Sequence, residues 1–369
     1  MRIGIDVRLW NQTGVGRYIR NLVIELSKID KKNEYVLFAG KEDYENIKSQ
    51  ISNIKWKIVK ADIKWHSIAE QIKFPKILEK ENLNLVHFPY FSLPILYKKP
   101  YVVTIHDLII NHYPTGKAST LFPLLYYSKL LAYKYIIYMG AKNAKKIIVP
   151  SVSTKNEVID HLKISGNKIA VTKEAANLAT SRKPRAASQK YGKYFLYVGN
   201  AYPHKNLERL IKAFNEITRE YKDLRLVFVG NKDYFYQKLE KENISDKIVF
   251  YGKATDDELL DFYSNAIALV SPSLMEGFGL PILEAMTNNC LVLCSDIPAF
   301  REIAKETVIY FNPYSISDIK EKLLFACSND SNHWNKFKKM AKTKEKEFSW
   351  EKMAKETLKV YEETLSSSL

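Results

Sequence analysis

The sequence predicts an α/β protein of two Rossmann-like halves, and three observations predict it. Short β-branched or aromatic runs at Tyr35–Phe38, Leu85–Phe88, Tyr101–Ile105 and Lys146–Val149 alternate with segments long enough for a helix, the pattern of a parallel sheet. A second series follows at Tyr194–Val198, Leu224–Val229, Lys247–Phe250, Ala266–Val270, Leu291–Cys294 and Val308–Phe311. At 369 residues and 46% hydrophobic content, the chain is also too long for one core and too apolar for disorder.

Taken in order, the chain opens on a strand-like run, Arg2–Val7, with no signal peptide before it. After Gly16, residues Ile19, Leu22, Val23, Leu26 and Ile29 recur at helical spacing, an apolar stripe for a sheet, while Arg17, Arg20 and Lys28 face water. Residues 121–139, with Leu121, Phe122, Tyr126, Tyr127, Leu131, Tyr133 and Tyr135, are apolar on more than one face. That favours a buried helix, with an aromatic surface against lipid headgroups as the alternative. Asn177–Lys190, rich in Ser, Ala, Arg and Lys and without an apolar period, reads as an exposed linker, so the domains are 1–178 and 190–349. The last 55 residues are helical by pattern, and Trp350, Met353, Leu358 and Tyr361 form an apolar face that has to pack on something.

Lys and Arg number 57 against 41 Asp and Glu, a net charge of +16. Residues 1–175 hold most of it, with 28 basic and 15 acidic side chains, or +13. Nucleic acid, an anionic membrane surface or a phosphorylated ligand would suit such a charge, and a lysine-rich genome is the bland explanation. No nucleic-acid-binding motif occurs, so nucleic acid is not expected as a partner. Three cysteines, Cys290, Cys294 and Cys327, without C-x-x-C spacing exclude a disulfide scaffold and a sulfur-rich metal site, and fit a cytoplasmic compartment. No apolar stretch approaches the roughly 20 residues of a membrane span, so the protein is expected to be soluble or peripheral.

The strongest local signal is Ser271-Pro-Ser-Leu-Met-Glu276-Gly277-Phe278-Gly279-Leu280-Pro281-Ile-Leu-Glu284, which follows an apolar strand and opens a helix at Pro281. Two glycines let backbone approach a ligand, and a helix start attracts phosphate. Two carboxylates beside phosphate make sense as acceptors for sugar hydroxyls. Gly14-Val-Gly16 after the first strand is weak by itself, since the third glycine of a dinucleotide fingerprint is replaced by Ile19. His106 alone would read as structural; its place at the carboxyl end of a parallel strand favours a functional reading.

On these motifs the chain resembles the retaining glycosyltransferases of family 4, which have the GT-B fold and include bacterial mannosyltransferases. Glu276 and Glu284 match the family's E-x7-E motif. Gly4-Ile-Asp6-Val-Arg8 with Thr13-Gly14-Val-Gly16-Arg17-Tyr18 is similar to its opening strand and glycine loop, His106-Asp107 to its N-domain His-Asp, and Ser151-Val-Ser-Thr-Lys155 to the strand-to-helix turn that follows. Gly199-Asn200-Ala-Tyr-Pro-His204-Lys205-Asn206 resembles its phosphate-binding loop. Where many members carry an arginine, this chain has Asn200 and His204.

The resemblance implies two Rossmann-like domains facing each other across a cleft, with the helix 350–369 returning to the N-domain. It also implies catalytic roles for His106 and Glu276. Nucleotide-sugar contacts are implied for Gly14, Gly16, Arg17, Asn200, Lys205, Gly277, Phe278, Gly279, Leu280 and Glu284. GDP-mannose is the first expectation for the donor, and a lipid-linked or cell-surface saccharide for the acceptor. The phosphate leaving group is expected to take the acceptor's proton, so no protein nucleophile is required. No D-x-D triplet occurs, which fits a reaction with neither metal nor other cofactor. The basic N-domain suggests peripheral attachment to the inner face of the cell membrane, at about 1 kcal/mol for each well-placed Lys or Arg. A catalytically silent relative serving as a membrane-associated assembly partner is the competing reading.

Overall fold

A strand buried on both faces needs helices on each side of its sheet, and the chain meets that need twice. The computed structural model describes residues 1–51, 56–114, 123–176, 187–328 and 331–366. Its first sheet contains β1 (Arg2–Asp6), β2 (Glu34–Ala39), β3 (Lys57–Lys60), β4 (Leu85–Phe88), β5 (Tyr101–Thr104), β6 (Lys146–Val149) and β7 (Ile169–Val171). They lie in the order β3-β2-β1-β4-β5-β6-β7. The second contains β8 (Lys193–Val198), β9 (Leu224–Val229), β10 (Ile248–Gly252), β11 (Ala268–Ser271), β12 (Leu291–Ser295) and β13 (Ile309–Phe311), in the order β10-β9-β8-β11-β12-β13. Every pairing is parallel. Each sheet therefore has the Rossmann strand order, which reverses between β1 and β4 and again between β8 and β11. The chain divides into two compact units: Met1–Asn111, Leu121–Glu174 and Ser349–Leu369 form one, His112–Thr120 and Ala175–Phe348 the other.

In the first unit the helix Gly14–Ile29 buries Tyr18, Ile19, Leu22, Val23 and Leu26, and the helix Trp350–Ser366 packs on it and buries Trp350, Met353 and Tyr361. A buried polar chain fixes that last helix. The Tyr361 hydroxyl is 2.6 Å from His87 Nδ1, His87 Nε2 is 2.8 Å from Thr104 Oγ1, and the Tyr18 hydroxyl is 3.2 Å from the same oxygen. Just beyond β1, Arg8 forms ion pairs at 2.7 Å with both Asp6 and Glu70, donates to the Ile63 carbonyl and lies 3.9 Å over the Phe74 ring. Burial opposes these charges, but two carboxylates outweigh it and raise the guanidinium pKa further.

The structure departs from the sequence reading at identifiable places. Strands β3 and β7 escape the pattern because they are sheet edges of four and three residues, with β3 flanked by Lys57 and Lys60. Arg20 is half-buried and donates to the Trp10 carbonyl. Residues 177–186 of the expected linker lie outside the described residues, and Ser188 is buried, its amide bonded to Asp261 at 2.8 Å. The expectation of a buried helix at 121–139 is corrected: the helix runs Pro123–Asn143, and Tyr127, Leu131, Tyr135 and Tyr138 on it are exposed. Residues 121 and 122 lie outside the described set. The apolar period was real, but one sheet face accommodates only one side of a helix.

Two stability predictions follow from the buried polar groups. Arg8→Met leaves Asp6 and Glu70 buried without their cation and should lower the unfolding free energy by about 3–5 kcal/mol in urea titrations; a loss below about 1 kcal/mol would contradict the assigned role. Burial pushes His87 down from 6.5 to about 3. Below pH 6.5 the unfolded chain therefore takes up a proton that the native state refuses. Stability should fall with decreasing pH by about 1.4 kcal/mol per unit from this group. His87→Gln should remove that slope between pH 6 and 4, and an unchanged slope would refute the assignment.

Candidate active site

Ligands of parallel sheets gather outside the carboxyl ends of the strands where the order reverses. In the second unit that point is β8 beside β11. After β8, the segment Gly199–Asn206 turns through Pro203–Lys205 into the helix Leu207–Ile217; after β11, the segment 272–279 enters the helix Leu280–Thr287. Two residues flanking Lys205 stitch these loops together. The His204 carbonyl accepts from the Leu274 amide at 2.8 Å. Asn206, in the left-handed conformation at φ 60°, donates its side-chain amide to the carbonyls of Pro272 at 3.0 Å and Pro313 at 2.8 Å. Asparagine tolerates that backbone better than most residues.

The stitching brings Lys205 Nζ to 2.6 Å from Glu276 Oε1, which also accepts the Ser273 hydroxyl at 2.7 Å. Burial raises a carboxyl pKa, but here the Lys205 ammonium and the Ser273 hydroxyl hold Glu276 below its ordinary value. His204 is pushed down from 6.5 to about 4 by burial and by Lys205, so near neutral pH Lys205 is the cation that counts.

Gly279 starts the Leu280–Thr287 helix at φ 116°, and a Cβ there would meet the Phe300 ring at 2.9 Å, so only glycine fits. The helix consequently begins at Leu280, one residue before the expected Pro281. Glu284 falls just past the first turn instead of within it; it is buried and accepts the Tyr263 hydroxyl at 2.8 Å. Gly277 and Phe278 are buried, Phe278 edge-on to Phe348, and Leu280 is half-buried. Asn200 is half-buried and its carbonyl accepts the Tyr197 hydroxyl.

In the first unit, the corresponding strand ends carry Gly14–Arg17 and His106. Gly14 is exposed with open space where a Cβ would be, whereas at Gly16 a Cβ would lie 2.5 Å from the Trp10 carbonyl oxygen. Gly14 thus leaves room for a ligand, and the room at Gly16 is filled by the chain's own loop. Arg17 is half-buried in the first turn. His106 meets the Tyr18 ring edge-on at 4.9 Å, which joins it to that helix start. Its Nδ1 is 2.9 Å from Glu174 Oε1 and its Nε2 is 2.9 Å from the Pro89 carbonyl. Both partners offer acceptor oxygens, an arrangement that favours the protonated ring. Burial opposes that charge, but the Glu174 carboxylate outweighs it and raises the pKa. Both ring nitrogens are thereby engaged.

The sequence motifs therefore converge as two groups, one in each unit. Asn206, Ser273 and Tyr263 in the second unit and Tyr18, Pro89 and Glu174 in the first were not singled out as partners. An asparagine directly before an amphipathic helix was a usable signal for Asn206; Glu174 had none, because its partner is 68 positions away. Asn206→Ala removes two buried hydrogen bonds and a residue suited to φ 60°. The unfolding free energy should fall by about 2–3 kcal/mol in denaturant titrations, and a change under about 0.5 kcal/mol would show that the stitch carries no load.

Residues 12–179 match the family described as Glycosyltransferase Family 4, and residues 180–346 the family described as Glycosyl transferases group 1. The O-antigen chain mannosyltransferase RfbU of Salmonella typhimurium is 28% identical over 235 residues, a stretch covering 63% of this chain and 62%, less than two thirds, of that protein. The O-antigen chain mannosyltransferase B of Escherichia coli is 26% identical over 388 residues, 95% of this chain and 96% of that one. Among solved structures, sucrose-phosphate synthase from Thermosynechococcus elongatus shares the fold at a TM-score of 0.78 and 18% identity, covering 100% of both chains. With one family match on each Rossmann-order sheet, and with E-x7-E in place on the second, the chain belongs to glycosyltransferase family 4 and has the GT-B fold.

Proposed function

We propose that this glycosyltransferase moves mannose from GDP-mannose, with retention of configuration, to a lipid-linked or cell-surface polysaccharide acceptor. The observation that carries the reading is the Lys205–Glu276 pair at the β8/β11 reversal. Two relatives named as O-antigen chain mannosyltransferases support the choice of sugar.

The chemistry asks for positive charge where the diphosphate leaves and hydrogen-bond acceptors around the sugar. A donor diphosphate competes with Glu276 for the Lys205 ammonium. When Lys205 turns to the phosphate, Glu276 is released to accept sugar hydroxyls, with Glu284 in the helix that follows as a second acceptor. The start of the Leu280–Thr287 helix offers its positive dipole end to the diphosphate. The acceptor oxygen forms its bond to the anomeric carbon as the bond to phosphate oxygen breaks, and its proton passes to that oxygen, giving GDP and the glycoside. Because both His106 nitrogens are engaged by Glu174 and Pro89, His106 acts by positioning and not as a base. The enzyme works as a peripheral protein on the inner face of the cell membrane, drawn there by the basic first half of the chain; no described helix is long and apolar enough to cross a membrane.

GDP should raise the melting temperature more than UDP at equal concentration; an equal or larger UDP shift would remove GDP-mannose as the donor. Lys205→Ala should weaken GDP binding by about tenfold or more, whereas Glu276→Ala should keep GDP affinity and lose turnover, because sugar contacts change most in the transition state. Undiminished GDP affinity in the Lys205→Ala protein, measured by calorimetry, would overturn the assignment of the diphosphate site.

A further inference from the structure

The helix Pro123–Asn143 poses a physical problem. A helix apolar all round belongs in a core, yet only one side of this one is covered. Ile137, Gly140 and Ala141 are buried, and Tyr133 packs half-buried on the same core. On the opposite side Leu131 is 68% exposed, Tyr127 61% and Tyr135 56%. At about 100° per residue, Tyr127, Leu131, Tyr135 and Tyr138 fall within one arc of roughly 100°, and Lys134 and Lys142 fall in the same arc. Both lysines are exposed, and the helix contains no Asp or Glu. An exposed apolar stripe interleaved with lysines alone is not a solvated face.

The neighbouring segment continues the pattern. Gln71 donates to the Leu93 carbonyl at 3.0 Å and accepts from the Ile95 amide at 2.9 Å, which holds the helix Ile68–Glu79 against the 93–96 loop. The His66 ring lies 5.5 Å from Tyr133, which holds the start of that helix near Pro123–Asn143. Ile68 is 80% exposed, and Ile72 and Leu96 are more than half exposed beside the exposed Lys73, Lys98 and Lys99. These elements, linked to the helix through His66 and Tyr133, carry more exposed aliphatic surface and more positive charge.

We propose that the outward stripe of the Pro123–Asn143 helix, extended by Ile68 and Ile72, is the surface by which this protein docks on an anionic lipid bilayer, with Tyr127, Leu131 and Tyr135 entering the headgroup boundary and Lys134 and Lys142 meeting lipid phosphates. For its purpose it rests on the membrane-bound acceptor of the proposed function; its evidence is separate. Tyrosine and lysine each carry an apolar body and a polar tip, the build that suits a bilayer interface. A second copy of the chain is the poorer occupant, because a symmetric contact would bring two lysine stripes with no carboxylate between them face to face. Just beyond the helix Lys145 is exposed, but Lys146 donates to the Asn167 carbonyl at 3.1 Å and lies 3.9 Å from Glu363.

Co-sedimentation with vesicles tests the surface directly. The full chain should pellet with phosphatidylethanolamine vesicles containing about 30% phosphatidylglycerol and not with phosphatidylcholine alone. Lys134→Glu with Lys142→Glu should lose binding most strongly at low salt, where exposed charges count most. Tyr127→Ser, Leu131→Ser and Tyr135→Ser together should weaken binding about tenfold or more at every salt concentration. These side chains are exposed, and an unchanged GDP thermal shift in the triple variant certifies its fold and keeps docking distinct from donor binding. Vesicle binding by a wild-type protein that shows no GDP shift would sink the nucleotide reading and leave the docking surface standing. No binding to anionic vesicles, or full binding by the triple variant, would overturn the proposal. So would concentration-dependent dimerisation that the triple variant abolishes in a protein that ignores vesicles.

Discussion

A carboxylate and an ammonium taken out of water together must find each other, and the 2.6 Å contact of Lys205 with Glu276 is that constraint at the centre of the second unit. Neither residue can choose its position. Lys205 is set by a turn between His204 and Asn206, both bonded to the loop that carries Glu276. Glu276 is set by a loop that must end at Gly279, because the Phe300 ring leaves no space for a Cβ there. The pair therefore depends on backbone contacts at both ends of each loop, and those depend on β8 and β11 ending side by side.

The first unit builds the same strand order into a different electrostatic object. Its strand ends present Gly14 with open space and a histidine held between two acceptors. Tyr18 links the two, since its ring touches His106 and its hydroxyl reaches Thr104, the first member of the chain that runs through His87 to Tyr361. Tyr361 of the C-terminal helix is thus linked to His106 through His87, Thr104 and Tyr18. The fold supplies equivalent positions in both units; the side chains decide that one holds a rotatable ammonium and the other an imidazole ring pinned at both nitrogens.

How much of this was legible follows from range. Strands such as β4, β6 and β9 were read to the residue, because central strands buried on both faces leave continuous apolar runs. The edge strands β3 and β7 were not, since an edge needs neither length nor apolar continuity. Lys205, Glu276 and Glu284 were legible as motif positions, yet their pairing was not: Lys205 meets Glu276 across 71 positions, and Tyr263 meets Glu284 across 21. Periodicity also misjudged the helix Pro123–Asn143. It counts apolar faces correctly but cannot say how many of them the sheet will cover. His106 was found through its strand end, while its protonation rests on Glu174 and Pro89, which no local pattern connects to it.

The Arg8 and Lys205 ion pairs differ in how completely they are satisfied, and that difference separates scaffold from chemistry. Arg8 engages Nε and both terminal nitrogens with Asp6, Glu70 and the Ile63 carbonyl, in a rigid fork that stacks on Phe74. Moving any partner would strand charge in a core, so Arg8 can only hold the loop after β1 in place. Lys205 is a rotatable ammonium with three donors, and among the described residues its side chain makes a single hydrogen bond, to one oxygen of Glu276. An anion arriving at Lys205 can take the ammonium without breaking anything else, and the carboxylate it releases still keeps the Ser273 hydroxyl. A buried pair with spare donors on one side and a fallback partner on the other can be opened by its ligand at low cost. A saturated pair cannot, which is why the Arg8 cluster, though more heavily charged, is the scaffold and the Lys205 pair is the site.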